Sequence, residues 1–131
     1  MKIIFTGGTG RFGSIFKDQT KIKNILYPTR KELNILNLKS INKYFSKKKP
    51  KIVIHCAGLS RPMNLHEKNI NLSIDKNIIG TCNIVKACKK QKTKLIYLST
   101  NYVYPGTLGN YKETDPLLPY NNYAWSKLGG E

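Results

Sequence analysis

Tyr123 and Lys127 are the residues of this sequence best suited to proton chemistry. Their spacing makes them neighbours on one face of a helix, which the sequence predicts to begin near Tyr123. A cation beside a phenol favours the tyrosinate, so we expect Lys127 to lower the pKa of Tyr123 below its ordinary value of about 10. Such a phenol donates and accepts protons near neutral pH. Because a lone Tyr–Lys pair is usually just a half-buried ring beside a solvated lysine, the surrounding motifs decide its meaning.

A hydroxyl pair, Ser99 and Thr100, follows the last predicted strand at residues 94–99. Open α/β sheets bind ligands at the carboxyl ends of their strands. Thr100 can hydrogen-bond the same substrate oxygen as Tyr123, and a carbonyl held there would accept hydride from C4 of a reduced nicotinamide. Lys127 would also hold the ribose hydroxyls. The predicted catalytic set is therefore Thr100, Tyr123 and Lys127.

The first residues of the chain predict where the nicotinamide cofactor binds. An apolar strand at 3–5 leads into a glycine-rich turn at 6–13 and a helix-like stretch at 11–18. Two glycine registers fit the dinucleotide-binding fingerprint: Gly8, Gly10 and Gly13, or Gly7, Gly10 and Gly13. Side chains larger than glycine would block the tight turn and the approach of backbone to pyrophosphate. Free N–H groups and the positive end of the helix then face the phosphates.

The end of the second predicted strand indicates which nicotinamide is preferred. Folds that prefer NAD place Asp or Glu about 20 residues beyond the glycines, whereas this chain has Arg30 there. Arg30 can pair with a 2′-phosphate as a bidentate donor, assisted by Thr29 and Lys31, and Arg11 could reach the same phosphate. This favours NADP and leaves NAD open. Glu32, one register away, is the counter-candidate.

Strands and helices alternate along the chain. The strands are predicted at 3–5, 24–27, 51–56 and 94–99, and the helices at 11–18, 38–47 with Asn37 as N-cap, 64–91, and from Tyr123 onward. Alternation without hairpin signals predicts an α/β fold with a Rossmann-like, doubly wound parallel sheet. Such sheets usually continue past this point, so we expect residues 1–131 to be an incomplete NAD(P)-binding Rossmann domain that lacks the C-terminal substrate-binding part.

Composition limits the other function classes. The net charge of +16 comes from scattered lysines without a reader helix or stacking platform, which argues against nucleic-acid binding. No signal peptide or membrane-length apolar run is present, so we expect a soluble cytoplasmic protein. The three cysteines, Cys56, Cys82 and Cys88, lack metal-ligand spacing and are predicted to be small buried hydrophobes. His55 is predicted to be a packed residue.

Segments along the whole chain resemble the extended short-chain dehydrogenase/reductase family, and most closely its dTDP-4-dehydrorhamnose reductase branch. They are residues 6–13, 56–58, 77–83, 99–107, 112–116 and 123–131. Residues 99–104, Ser-Thr-Asn-Tyr-Val-Tyr, resemble the Ser-Thr-Asp-Tyr-Val-Phe motif of that branch. The resemblance implies the same catalytic set, and cofactor contacts at Gly7, Gly10, Arg11, Phe12, Gly13, Ala57, Gly58 and Lys127, to which we add Arg30 and Tyr123.

The resemblance further implies NADP-dependent reduction of a 4-keto nucleotide sugar, towards a deoxysugar such as rhamnose for polysaccharide biosynthesis. It leaves a homodimer of the full-length protein open. The departures are Asn101 and Asn34, which replace family aspartates, and residues 59–62, which lack the branch's acidic residues. Two alternatives remain. One is an epimerase or dehydratase of the same superfamily, although Asn101-Tyr102 argues against a dehydratase. The other is a non-catalytic cofactor-binding fragment.

Overall fold

The computed structural model describes residues 1–131 and contains one four-stranded parallel sheet. The strands are β1 (Ile3–Thr6), β2 (Ile25–Leu26), β3 (Ile52–His55) and β4 (Lys94–Tyr97), in the order β2-β1-β3-β4. All four residues of β1 are buried, as expected of a central parallel strand covered on both faces. The predicted α/β, Rossmann-like doubly wound sheet is confirmed.

Six α-helices surround the sheet. They are α1 (Arg11–Gln19), α2 (Leu38–Lys48), α3 (Asn64–Lys68), α4 (Ile70–Ser73), α5 (Gly80–Gln91) and α6 (Asn122–Gly130). The predicted N-cap of α2 is confirmed, since Asn37 Oδ1 accepts a hydrogen bond from Ser40 N at 3.0 Å. None of the helices combines the length and the apolar character needed to traverse a bilayer.

The single helix predicted over 64–91 is wrong. Asn69 leaves the helical region at φ −146° and ψ 80°, and its side chain accepts a hydrogen bond from Leu72 N at 3.3 Å. A π-helical segment, Ile74–Ile79, then joins α4 to α5. The apolar spacing continues through both interruptions, so periodicity could not reveal them. Such π segments are frequent at functional sites, and this one carries Asn77.

Apolar side chains fill both faces of the sheet. One cluster contains Ile4, Leu33, Ile41, Phe45, Val53, Ile84, Ala87 and Cys88. On the other face, the ring of Phe5 stacks on Phe16 with centroids 4.9 Å apart. Burial is confirmed for Cys88, but Cys82 is exposed and Cys56 is half-buried. The prediction of three buried cysteines is therefore wrong for those two.

The strand register determines which residues meet at the carboxyl edge of the sheet. Thr6 pairs with His55 across β1 and β3, and His55 pairs with Tyr97 across β3 and β4. The segments that follow these three residues therefore leave the sheet side by side. This edge collects the glycine turn, Cys56 and the Ser99-Thr100 segment.

Candidate functional site

The turn between β1 and α1, residues 7–10, forms a cradle with α1 that has no room for a side chain at Gly7 or Gly13. Gly7 has φ +80°, and the amide of Gly10 donates to its carbonyl at 3.0 Å. A Cβ on Gly7 would lie 2.8 Å from the backbone nitrogen of Ala57. A Cβ on Gly13 would overlap the Gly7 carbonyl oxygen and approach the Cα of Gly8 to 2.7 Å. The helix is thereby packed tightly against the strand turn, as a pyrophosphate site requires.

The N-terminus of α1 is suited to an anion. Its N-cap, Gly10, makes no side-chain capping bond, and no acidic residue occupies the first turn. The first amide groups of a helix have no intrahelical acceptor, and the helix dipole adds positive potential there. The predicted phosphate-binding turn thus has the donors and the electrostatics that phosphates need.

A cavity of about 630 Å³ opens beside this turn. It is lined by Thr6, Gly7, Thr9, Gly10, Arg11, Phe12, Gly13, Ile15, Pro28, Arg30, Leu33, Asn34, Ile35, Leu36, Cys56, Ala57, Gly58, Ser60, Arg61 and Lys76. Eight of the predicted cofactor contacts are in this set, whereas Tyr123 and Lys127 are not. Four lining residues are cationic and none is acidic, which favours a ligand with several negative charges.

Arg30 rather than Glu32 faces the cavity. The Glu32 carboxylate accepts hydrogen bonds from the backbone nitrogen of Thr29 at 2.8 Å and from its hydroxyl at 3.0 Å. These bonds hold the pKa of Glu32 below its ordinary value. Because Glu32 is engaged in its own turn and absent from the cavity lining, it is unsuited to bind a ribose there.

The start of α6 places Tyr123 against α3. The Asn121 side chain caps the helix by accepting from Ala124 N at 2.8 Å. Asn122 donates from its backbone nitrogen and its side chain to the two carboxylate oxygens of Glu67, at 3.1 and 2.7 Å. The ring of Tyr123 then packs on His66, with centroids 5.0 Å apart. No motif of the sequence indicated this contact.

The proton chemistry of Tyr123 differs from the expectation. Burial raises the pKa of Tyr123 above 10, while the Thr100 side chain and the Arg61 charge lower it by less. The ammonium of Lys127 instead donates to the carbonyl of Leu98 at 2.6 Å, and burial lowers the pKa of Lys127 to about 8. The prediction that Lys127 lowers the pKa of Tyr123 is therefore wrong in this structure, because desolvation of the phenol dominates.

Thr100 lines a second cavity of about 440 Å³. Its other walls are Ser99, Asn101, Val103, Tyr104, Glu113, Leu117 and Glu131. Cys56, which lines the first cavity, directly follows His55, and His55 is paired with Tyr97, which precedes the Ser99-Thr100 segment. The structure thus gathers eight of the predicted cofactor residues in one cavity, places Thr100 in the second, and places Tyr123 and Lys127 in neither of the two.

Asn77 is a site residue that the sequence did not single out. Its Oδ1 accepts from Leu59 N at 2.7 Å, and its Nδ2 donates to Leu59 O and to Ser126 Oγ, both at 2.8 Å. Ser126 Oγ in turn donates to the carbonyl of Tyr123 at 2.7 Å. The π-helical segment therefore ties the loop after β3 to the helix that carries Tyr123. The match of 77–83 to the family pattern was the available signal.

A buried chain of hydrogen bonds runs beneath the cavity and fixes the tautomer of His55. Thr81 Oγ1 donates to Asn77 O at 2.7 Å, so it accepts from His55 Nε2 at 3.1 Å. His55 Nδ1 then accepts from Thr6 Oγ1 at 2.7 Å. The prediction of a packed His55 is confirmed, and burial lowers its pKa to about 3.

Titration of His55 makes the stability of the fold sensitive to acid. Between about pH 6.5 and pH 3 the unfolded chain binds a proton on His55 that the folded chain does not, so stability falls as pH falls, by about 1.4 kcal/mol per pH unit. We expect His55→Asn to remove this slope in chemical unfolding measured across that range. An equal slope in both proteins would contradict the assignment. The lowered pKa of His66 contributes to both proteins alike and cancels.

Comparisons with known proteins found similar sequences along almost the whole of this chain. A family model described as the RmlD substrate binding domain matches residues 1–131. Methionine adenosyltransferase 2 subunit beta of Xenopus laevis is 30% identical over 139 residues, 99% of this chain and 41% of that protein. The dTDP-4-dehydrorhamnose reductase of Mycobacterium tuberculosis is 28% identical over 137 residues, 99% and 44% of the two chains.

A solved structure has a fold similar to that of this chain. The dTDP-4-dehydrorhamnose reductase of Bacillus anthracis, in complex with NADP, has a TM-score of 0.90 and 31% identity, covering 99% of this chain and 48% of that one. The chain spans less than half the length of these relatives.

Proposed function

This chain belongs to the family of the RmlD substrate binding domain, and from that premise we propose that it binds NADP(H) and reduces a keto group of a nucleotide sugar. The observation that carries the proposal is the cavity beside the glycine turn, with its four cations and no carboxylate. Residues 1–131 would be the NAD(P)-binding domain. The relatives named as dTDP-4-dehydrorhamnose reductases suggest a dTDP-linked 4-keto sugar as substrate.

The residues present fit a dinucleotide with a 2′-phosphate. The amides at the start of α1 would bind the pyrophosphate, where a Cβ at Gly7 or Gly13 would intrude. Arg30 and Arg11 would hold the 2′-phosphate. Asn34, whose Oδ1 already accepts from Leu36 N at 3.0 Å, leaves its amide nitrogen for the adenine. When bound, the reduced nicotinamide supplies a hydride to the carbonyl carbon.

The raised pKa of Tyr123 suits reduction. A phenol with a pKa above 10 is protonated at neutral pH, so it can donate its proton to the carbonyl oxygen as negative charge develops there. The Thr100 hydroxyl would hydrogen-bond the same oxygen. Lys127, held at the Leu98 carbonyl, would bind the ribose hydroxyls and fix the orientation of the cofactor.

An assay with added NADPH tests the proposal and separates it from its closest alternative. We expect the protein to consume NADPH in the presence of dTDP-4-dehydrorhamnose, followed by the loss of absorbance of the reduced nicotinamide. An epimerase or dehydratase would instead turn over its substrate with a tightly bound cofactor and no added NADPH. Turnover without NADPH consumption would reject the reductase in favour of that alternative.

Replacement of Arg30 tests the cofactor preference. We expect Arg30→Ala to weaken NADPH binding by about 10- to 100-fold, the worth of a lost charge-assisted hydrogen bond, and to leave NADH binding unchanged. Lys43→Ala is the matched control, because Lys43 is an exposed residue of α2 that does not line the cavity, and Lys31, expected to assist Arg30, does not line it either. An equal loss for both cofactors, or the same loss in the control, would contradict a 2′-phosphate contact.

A second candidate function is a cofactor-binding subunit that performs no reduction. The 30% identity to a protein named as a subunit of methionine adenosyltransferase 2, over 99% of this chain, favours it. Both candidates predict NADPH binding. They differ in turnover, since a subunit of this kind would bind NADPH as the reductase does but would reduce no keto sugar.

A further inference from the structure

Two consecutive residues at the end of β4, Tyr97 and Leu98, contact the ammonium of Lys127. Its Nζ lies 4.1 Å from the centroid of the Tyr97 ring and donates to the carbonyl oxygen of Leu98 at 2.6 Å. The Tyr97 hydroxyl donates to the backbone carbonyl of Lys127 at 3.3 Å. Both the main chain and the charged tip of one lysine are therefore fixed by the same tyrosine.

We propose that Tyr97 is a positioning residue for Lys127, holding the ammonium with its ring face and the main chain of α6 with its hydroxyl. The inference rests on the proposed function, because Lys127 is there the group that binds the cofactor ribose. Tyr97 itself has no place in the proton chemistry assigned to Tyr123 and Thr100. Its contribution is to keep the flexible lysine side chain aimed along the carboxyl edge of the sheet.

Electrostatics explains why Lys127 needs such a partner. Lys127 is half-buried, and burial opposes its charge. The charged and titratable groups around it are Cys56 at the end of β3, Glu131 at the end of α6, and the neutral His55. Its tip is bonded to a neutral carbonyl and no carboxylate is bonded to it. An aromatic face stabilises an ammonium without such a bond, and more strongly where water is excluded.

Packing around Tyr97 leaves its ring little freedom. The ring lies beside His55, with centroids 5.8 Å apart, and His55 is fixed by the buried hydrogen-bond chain below the cavity. On the other side, a Cβ on Gly130 would approach the Tyr97 hydroxyl oxygen to 2.6 Å. The ring is thus held between β3 and α6, and a rigid ring can hold a flexible lysine.

Lysine side-chain NMR tests the contact directly. In protein labelled with ¹³C-lysine, we expect the ε-CH₂ protons of Lys127, assigned through Lys127→Arg, to be shifted upfield by the Tyr97 ring current. The shift should persist in Tyr97→Phe, which keeps the ring, and vanish in Tyr97→Leu. An ordinary ε-CH₂ shift in the unaltered protein would overturn the proposal even if the leucine variant fails to fold.

NADPH binding tests the consequence. We expect Tyr97→Leu to weaken NADPH binding by about tenfold, the scale of a partly desolvated cation–π contact, and Tyr97→Phe to weaken it less. Tyr44→Leu is the control, because the centroid of the Tyr44 ring also lies near a lysine ammonium, 5.7 Å from Lys48 Nζ, and Tyr44 lines neither of the two cavities. It should lower stability and leave both the Lys127 shift and NADPH affinity unchanged.

The outcomes separate this proposal from the proposed function. If the unaltered protein binds NADPH and Tyr97→Leu changes neither the Lys127 shift nor the affinity, the role of Tyr97 is overturned and the function stands. The ring-current shift could be present while the unaltered protein binds no nicotinamide cofactor. In that case the contact between Tyr97 and Lys127 stands, and the role of Lys127 in ribose binding is overturned together with the proposed function.

Discussion

Tyr123→Phe should lower kcat for keto-sugar reduction by about 10²- to 10⁴-fold, the usual contribution of a positioned general acid. The substitution keeps the ring that packs on His66 and removes only the hydroxyl that donates the proton. We therefore expect NADPH affinity within about tenfold of the unaltered protein, since loss of one hydrogen bond from a neutral group costs about 0.5–1.5 kcal/mol. Steady-state kinetics and a binding titration on the same preparation measure both values.

Tyr120→Phe is the matched control for that experiment. Tyr120 is 63% exposed and its ring lies on Tyr102, so it shares the aromatic cluster without facing the cavity. It should retain full activity. A Tyr123→Phe protein with undiminished kcat would remove Tyr123 from the chemistry and leave the proton donor to another group.

Gly13→Ala should weaken NADPH binding by about 100-fold or more. The new methyl group would overlap the carbonyl oxygen of Gly7 and crowd Gly8, and both neighbours are backbone, which cannot swing aside as a side chain can. The turn must therefore move relative to α1. The displaced amides would lose charge-assisted hydrogen bonds to phosphate, and each costs about 1.5–3 kcal/mol, so one or two of them account for a loss of about 100-fold. A fluorescence titration with NADPH measures the loss.

The control for Gly13→Ala is the same substitution outside the cradle. A Cβ on Gly109 would meet nothing within 4 Å, although its φ of +78° makes alanine somewhat strained there. Gly109→Ala should lower stability slightly and leave NADPH affinity unchanged. Equal affinities in the Gly13→Ala protein and the control would show that phosphates bind elsewhere.

Local sequence patterns were sufficient to predict the architecture. A β-strand, a glycine turn and a helix at 3–19 are typical of a dinucleotide-binding unit. The later alternation of strand-like and helix-like apolar patterns predicted that the unit continues as a parallel sheet. Asn37 was sufficient to predict the start of α2, because an N-cap side chain bonds to backbone only a few residues away. The breaks at Asn69 and in Ile74–Ile79 were missed because the apolar spacing continues through both, although the Asn69 cap on Leu72 N is also local.

The candidate site was only partly predictable for a related reason. Gly7, Gly13 and Arg30 were recognised because their roles are tied to one turn or one strand end, and the structure places them in one cavity. The pKa values of Tyr123 and Lys127 were not, since burial decides them and burial depends on the whole fold. Asn77 was overlooked for the same reason: its partners lie 18 and 49 residues away.

A fluorescence titration of the protein with NADPH and, separately, with NADH tests the central claim most directly. The claim is that the cavity beside the glycine turn holds a nicotinamide dinucleotide and that Arg30 selects the 2′-phosphate form. We predict saturable binding of both cofactors, with NADPH tighter by about tenfold or more, and loss of that difference in Arg30→Ala. Absence of saturable binding for either cofactor would contradict the claim.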